Sequence, residues 1–262
     1  MVVKPGIIVN REDATSPPGR RLFGAHPVAE WLRACPRAVT ALYYQTGAER
    51  RLAAVLRAAR DAGIPVHPQE ERALSALAGS RRHQGLVATA QPFTYVPLDQ
   101  VTAPPARLVI VADQMQDPQN LGALLRTASA VGASAVVIPK DGATAITAAV
   151  EAAAAGAAAW VPVARVTNVA RALRELKKSG YWSVGLVPKG GANLYTTTLP
   201  ERLAVVVGGE AGMRQLVATE CDFSLTIPMQ GHLESLNASV AAAVVLYEIV
   251  RRWSFGAPAG VP

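Results

Sequence analysis

Cysteine is nearly missing from this chain. Cys35 and Cys221 are the only two among 262 residues, too few for a disulfide framework or a zinc cluster, and their scarcity fits a reducing compartment. Histidine is almost as rare: His26, His67, His83 and His232 lie scattered without metal-ligand spacing, so no metal is expected. Nowhere does the chain read G-x-G-x-x-G, which removes the usual cradle for a dinucleotide. Long apolar runs are missing too. The opening MVVKPGIIVN is interrupted by Lys4, Pro5 and Gly6, and the weakly polar stretch 144–164 is mostly alanine, with Glu151 and Gly156 inside it. Neither has the unbroken apolar core of a signal peptide or a membrane span. No membrane partner is expected, and the expected location is cytoplasmic, or mitochondrial in a eukaryote.

What is present suits a globular protein. Half the residues are apolar and 17% are charged, enough to bury a core of one large domain or two smaller ones. The formal net charge is +7, and it is uneven: residues 1–100 hold 13 Lys/Arg against 8 Asp/Glu, whereas 101–262 hold 13 against 11. A polyanionic partner is indicated, with the amino-terminal part the better candidate for touching it.

Along the chain, residues 1–20 read as a basic arm rich in Pro, Gly and Arg. From 21 to 91, short helical and strand patterns alternate: helix at 26–34, strand at 39–44, helix at 49–63, strand IPVH, helix ERALSALAG and strand QGLVATA. Leu52, Val55, Leu56 and Ala59 have the spacing of one helix face. Residues 92–107 carry four prolines and read as a linker. From 108 onward the alternation is regular: strand 108–113, helix, strand 135–139, an alanine-rich helix, strand WVPV (160–163), helix 168–179, strand 181–187, strand 202–208, helix 213–219, strand 223–229 and a terminal helix from Asn237 to Arg252. This predicts an α/β fold with a mostly parallel sheet covered on both faces. The terminal helix is apolar nearly all round, so burial is expected, with a subunit contact as one way to achieve it.

Three segments place polar side chains where a buried strand runs out, the usual ligand position of such sheets. DQMQDPQNLGALLRTASAVG (113–132) carries Asn120 and Arg126. On its helix wheel Leu121, Leu124, Leu125 and Ala128 form the core stripe, while Arg126 falls opposite with Gly122, Ala123 and Ser129. Those small neighbours leave room for something to approach the guanidinium. VVVGGEAGM (205–213) ends a strand in Gly-Gly followed by Glu210, which lets backbone approach a ligand closely. In IPMQGHLESLNASVA (227–241), strand residues Ile227 and Met229 lead to a loop, and Ser235-Leu236-Asn237 opens a helix. Each segment alone has an ordinary structural explanation: a solvated arginine, a first-turn glutamate, a helix cap.

Taken together, DPQNLGALLRTASAVGA, VVVGGEAGM and IPM…SLNASVA…LYE resemble the SpoU branch of the SPOUT superfamily, S-adenosylmethionine-dependent RNA ribose 2′-O-methyltransferases. GAHPVAEWLRA, LYYQTG, AGIPV and GSRRHQGLVA resemble the RNA-binding domain, similar to ribosomal protein L30, that precedes the catalytic domain in 23S ribosomal RNA guanosine methylases and their mitochondrial relatives. The resemblance implies a catalytic domain over 108–262 with a trefoil knot, S-adenosylmethionine as methyl donor, an RNA substrate (ribosomal RNA first) and a homodimer. By position it implies that Val207, Gly208, Gly212, Ile227, Pro228, Met229 and Leu236 line the cofactor site. Asn120, Arg126, Glu210, Ser235 and Asn237 match the polar active-site positions. Transfer RNA methylation, methylation conferring antibiotic resistance, and a non-catalytic RNA-binding protein of the same fold remain alternatives.

Overall fold

The computed structural model describes residues 20–103 and 106–255; the arm expected over 1–20 lies, Arg20 apart, outside the described residues. The amino-terminal unit contains β1 (Arg20–Phe23), α1 (Ala25–Ala34), β2 (Val39–Gln45), α2 (Glu49–Asp61), β3 (Val66–Gln69), α3 (Glu71–Ala78) and β4 (Leu86–Ala90). Its sheet has the order β1-β4-β2-β3, with β2 parallel to β3 and both other pairings antiparallel. Leu52, Leu56 and Ala59 are the buried stripe of α2. Strand β1 was not expected from the sequence, since four residues are too few for a periodic signal.

Within the stretch expected as a linker, Tyr95 and Val96 pack against the larger unit. Val96 bridges to Ala164, Phe93 and Tyr95 pack against the core, and the Tyr95 hydroxyl accepts a hydrogen bond from Ile146 N at 3.0 Å. One helical turn, α4 (Leu98–Val101), follows.

The larger unit comprises β5 (Leu108–Asp113), α5 (Pro118–Ala130), β6 (Ala135–Pro139), α6 (Ala148–Ala154), β7 (Val163–Val166), α7 (Val169–Lys178), β8 (Trp182–Leu186), β9 (Ala192–Asn193), β10 (Leu203–Gly208), α8 (Gln215–Glu220), β11 (Phe223–Thr226) and α9 (Ala238–Phe255). Seven parallel strands stand in the order β7-β6-β5-β10-β8-β11-β9. Because strand side chains alternate, β5 sends Leu108, Ile110 and Ala112 into one core and Val109 and Val111 into another. Helices α5, α6 and α9 cover the first face, while α7 and α8 cover the second.

Several expected boundaries move for local reasons. Trp160 closes a short 3₁₀ turn over Ala157–Ala159, so β7 starts at Val163. Strand β11 stops at Thr226, and Ile227 and Met229 belong to a loop rather than a strand, because Pro228 has no N–H for a ladder. Strand β9 is too short to read from sequence. Helix α9 is not buried all round: Val240 and Tyr247 are 48% and 55% exposed. No helix among the described residues is long and apolar enough to cross a membrane.

Helix α9 is fastened by Arg252, whose guanidinium donates to the carbonyls of Thr197 and Leu194 at 2.5 and 2.6 Å. Arg251 and then Arg252 hydrogen-bond Glu248 and pull its carboxyl down from 4.5 to about 2. A carboxyl depressed on folding adds stability above its unfolded pKa and loses it on acidification. Wild type should therefore melt above Glu248→Gln at neutral pH. The difference should shrink from about pH 4.5 downward and vanish near pH 2, as followed by thermal melts across pH.

Candidate active site

Strands β10, β8 and β11 are neighbours, and their carboxyl ends open into one cavity of about 650 Å³. Leu186, Val187, Val207, Leu225 and Val245 make its apolar walls, and Glu210, Ser235 and Asn237 add polar groups. That volume is in the range of sites for drug-sized ligands.

The floor near β10 is built on close backbone approach. A Cβ on Gly208 would lie 2.3 Å from Gly212 C and 2.5 Å from Met213 N. A Cβ on Gly209 would lie 2.2 Å from Gln114 O. Only glycine fits at either place, so the Gly-Gly of the second motif has a steric cause. The loop is then tied to β5: buried Asp113 accepts hydrogen bonds from Arg214 N at 2.8 Å and Arg214 Nε at 2.9 Å. Gln114 takes a left-handed φ of 55° at the same strand end, a local conformational cost that the surrounding packing holds in place.

Asn237 joins the first and third segments. Its Oδ1 accepts from Ser239 N at 2.9 Å and Ser239 Oγ at 2.7 Å, so it caps α9. Its Nδ2 donates to Asn120 Oδ1 at 2.9 Å. Asn120 is 6% exposed, on the first turn of α5, where Asp117 caps the helix through Gln119 N. Among the described residues, the Asn120 amide nitrogen has no hydrogen-bond partner.

Nine of the positions singled out from sequence therefore surround one cavity: Val207, Gly208, Glu210, Gly212, Ile227, Met229, Ser235, Leu236 and Asn237. Asn120 reaches it through Asn237, and Pro228 is not among its walls. Arg126 stands apart. It is exposed, outside the cavity lining, and about 9 Å further along α5 than Asn120 at 1.5 Å per residue. The room expected beside Gly122 is also taken, since a Cβ there would meet Ala153 Cβ of α6 at 2.3 Å. Sequence reasoning missed Leu186, Val187, Pro188, Ala241 and Val245 as walls; the only hint was that LVP ends a buried strand as the named motifs do.

The SpoU rRNA Methylase family model matches residues 107–247, and the RNA 2′-O ribose methyltransferase substrate-binding model matches residues 21–96. The chain belongs to the SpoU rRNA methylase family. It is 41% identical over 240 residues to the 23S rRNA (guanosine-2′-O-)-methyltransferase RlmB of Ralstonia nicotianae, covering 89% of this chain and 96% of that one. The RlmB of Neisseria meningitidis serogroup B is 40% identical over 240 residues, covering 89% and 95%. Among solved structures, AviRb from Streptomyces viridochromogenes, a SpoU methyltransferase in complex with the cofactor AdoMet, superposes with a TM-score of 0.75 at 23% identity, covering 89% and 90%. An RNA 2′-O ribose methyltransferase superposes with a TM-score of 0.72 at 26% identity, covering 90% of each chain. These superpositions extend over both units and nearly the whole length of the chain.

Proposed function

We propose that the protein transfers a methyl group from S-adenosylmethionine to a ribose 2′-oxygen of RNA, and that its target is a guanosine of 23S ribosomal RNA. The observation that carries this reading is the convergence of three motif loops on one cavity, with Asn237 hydrogen-bonded to Asn120. The residues present fit the donor. Leu186, Val207, Leu225 and Leu236 offer an apolar slot for a planar base, the Gly208–Gly212 backbone can lie against it without side chains, and Glu210, Ser235 and Asn237 supply polar partners. When bound, the donor supplies an electrophilic methyl on a sulfonium.

What remains for the protein is alignment and help for the departing hydroxyl proton. Asn120, hydrogen-bonded to the cavity residue Asn237, has an amide nitrogen with no partner among the described residues and can orient a ligand. Arg126 is a poor base, because a guanidinium is a delocalised cation with five N–H donors and no acceptor atom. Its role is to bind the target phosphate and stabilise developing alkoxide charge, with solvent or a neighbouring group taking the proton. Since Arg126 lies outside the cavity of its own chain, that role requires a homodimer in which it reaches the site of a neighbouring subunit. Exposed Val240 and Tyr247 on α9, which packs against α5, and exposed Leu233 and Leu236 near the cavity supply apolar surface for the contact.

Labelled S-adenosylmethionine and transcribed large-subunit RNA test this. Wild type should transfer label, and Arg126→Ala should lower kcat by about 10²–10³-fold with donor affinity unchanged in calorimetry. Arg126→Lys retaining full turnover would rule out a need for the planar fork.

A further inference from the structure

A second cavity, about 710 Å³, opens between the amino-terminal unit and helices α5 and α6. Phe23, His26, Arg82 and Gln84 line one side, and Gln119 and Ala152 the other. We infer that this crevice holds a splayed-out nucleotide of the substrate RNA, next along the chain from the target, with Arg82 on its phosphate. The inference rests on the methyltransferase reading above and locates where the RNA passes between the two units.

Position is the first argument. Gln119 lines the crevice, while the next residue, Asn120, bonds to Asn237 in the donor cavity. Their Cα atoms are about 3.8 Å apart, so the first turn of α5 carries a wall of the crevice and a contact to the donor cavity. A strand with its target ribose at Asn120 has the crevice within reach of the adjoining nucleotide. Chemistry is the second. Among the described residues that line it, none is Asp or Glu, whereas Arg82 and His26 are cationic or titratable. The amino end of α1 also opens here, at Gly24, which has no side chain to cap it, and only Gln84 Oε1 reaches its first N–H, at 3.4 Å; a helix amino end favours an anion. Gln84 and Gln119 bring amides that can pair with an exposed base edge, the usual mode of single-stranded RNA recognition.

The wall is built rather than loose. Gln84 holds a left-handed φ of 52°, its Oε1 accepts from Ala25 N at 3.4 Å, and its carbonyl accepts from Arg51 Nη1 at 3.0 Å. The loop carrying Arg82 is thereby fixed to both α1 and α2.

Two full-length variants test the crevice. Arg82→Ala removes the charge, and Ala152→Phe fills the space from the opposite wall with no change of charge. RNA affinity is read by fluorescence anisotropy over a salt series, methyl transfer by KM and kcat, and donor binding by calorimetry. Arg82→Ala should weaken RNA binding about tenfold and flatten the log affinity against log salt slope by about 0.7. Ala152→Phe should weaken binding comparably without altering that slope. Both should raise KM for RNA, leaving kcat within twofold and donor affinity unchanged. The inference is overturned if both variants bind RNA within twofold of wild type. It is also overturned if only Arg82→Ala weakens, because that arginine would then meet RNA outside the crevice. Should wild type transfer no methyl at all, the proposed function fails, while the binding measurements still decide the crevice.

Discussion

Gly208→Ala should abolish measurable binding of S-adenosylmethionine. The new Cβ would sit 2.3 Å from Gly212 C and 2.7 Å from Gly212 O, and those are backbone atoms that no rotamer change can move. Either the turn opens or β10 shifts, and Glu210, Ala211 and Gly212, all cavity walls, move with it. Displacements near 1 Å at such positions cost about 10²-fold in rate. The strain should also lower stability by about 1–3 kcal/mol. Gly212→Ala is the informative control. Its φ is +82°, unfavourable for alanine, yet nothing lies within 4 Å of its Cβ. It should lose about 1–2 kcal/mol but retain weakened donor binding. Calorimetric titration of both variants, with melts to confirm folding, checks the pair; tight binding by Gly208→Ala would show that the turn does not shape the donor site.

Glu151→Ala should be the most destabilising single change at the contact between the two units. Glu151 is 1% exposed and accepts a hydrogen bond from Trp31 Nε1 at 3.0 Å across that contact. Its other oxygen faces Arg20 Nη1 at 3.5 Å, and the Arg20 guanidinium lies 4.0 Å over the Trp31 ring and 5.3 Å from that of Phe93. Burial pushes the Glu151 carboxyl up, opposed by Arg20 and Trp31, and it pushes the Arg20 guanidinium down. Removing the carboxylate strands a buried cation that already has Nε and one Nη without partners. Breaking such a pair costs about 3–5 kcal/mol, which lowers the melting temperature on the order of 10 °C. Removing both charges, Arg20→Met with Glu151→Leu, should recover most of the loss. Melting of the two single variants and the double variant measures the coupling; a loss below about 1 kcal/mol in Glu151→Ala would mean the contact is held elsewhere.

The large sheet was legible because its strands are buried on both faces, so β5 and β10 read as unbroken apolar runs. The cavity at the ends of β10, β8 and β11 was legible for a related reason. Gly208 and Glu210 are small or polar groups placed where such a run ends, Ser235 and Asn237 stand at the opening of α9, and the ends of neighbouring strands meet in space. What stayed hidden depends on contacts between distant residues. Arg20 and Glu151 lie far apart in sequence, so one looked like part of a basic arm and the other like a stray charge among alanines. The crevice beside Arg82 arises only when loop 79–85 comes to face α5 and α6. The alanine-rich pattern of α6 showed a buried helix, but its close approach to Gly122 is a tertiary contact that no local pattern encodes. Helix α9 looked apolar throughout, and an apolar pattern cannot say which of its faces packs on the sheet and which, with Val240 and Tyr247, is left exposed.

The central claim is that the three converging loops hold a methyl donor beside a ribose. Its most direct measurement is digestion of large-subunit RNA after incubation with labelled S-adenosylmethionine and the protein, with mass-spectrometric identification of the modified nucleoside. The account predicts label in 2′-O-methylguanosine at a single 23S position. Label on a base, or none transferred by folded protein that binds the RNA, would contradict it.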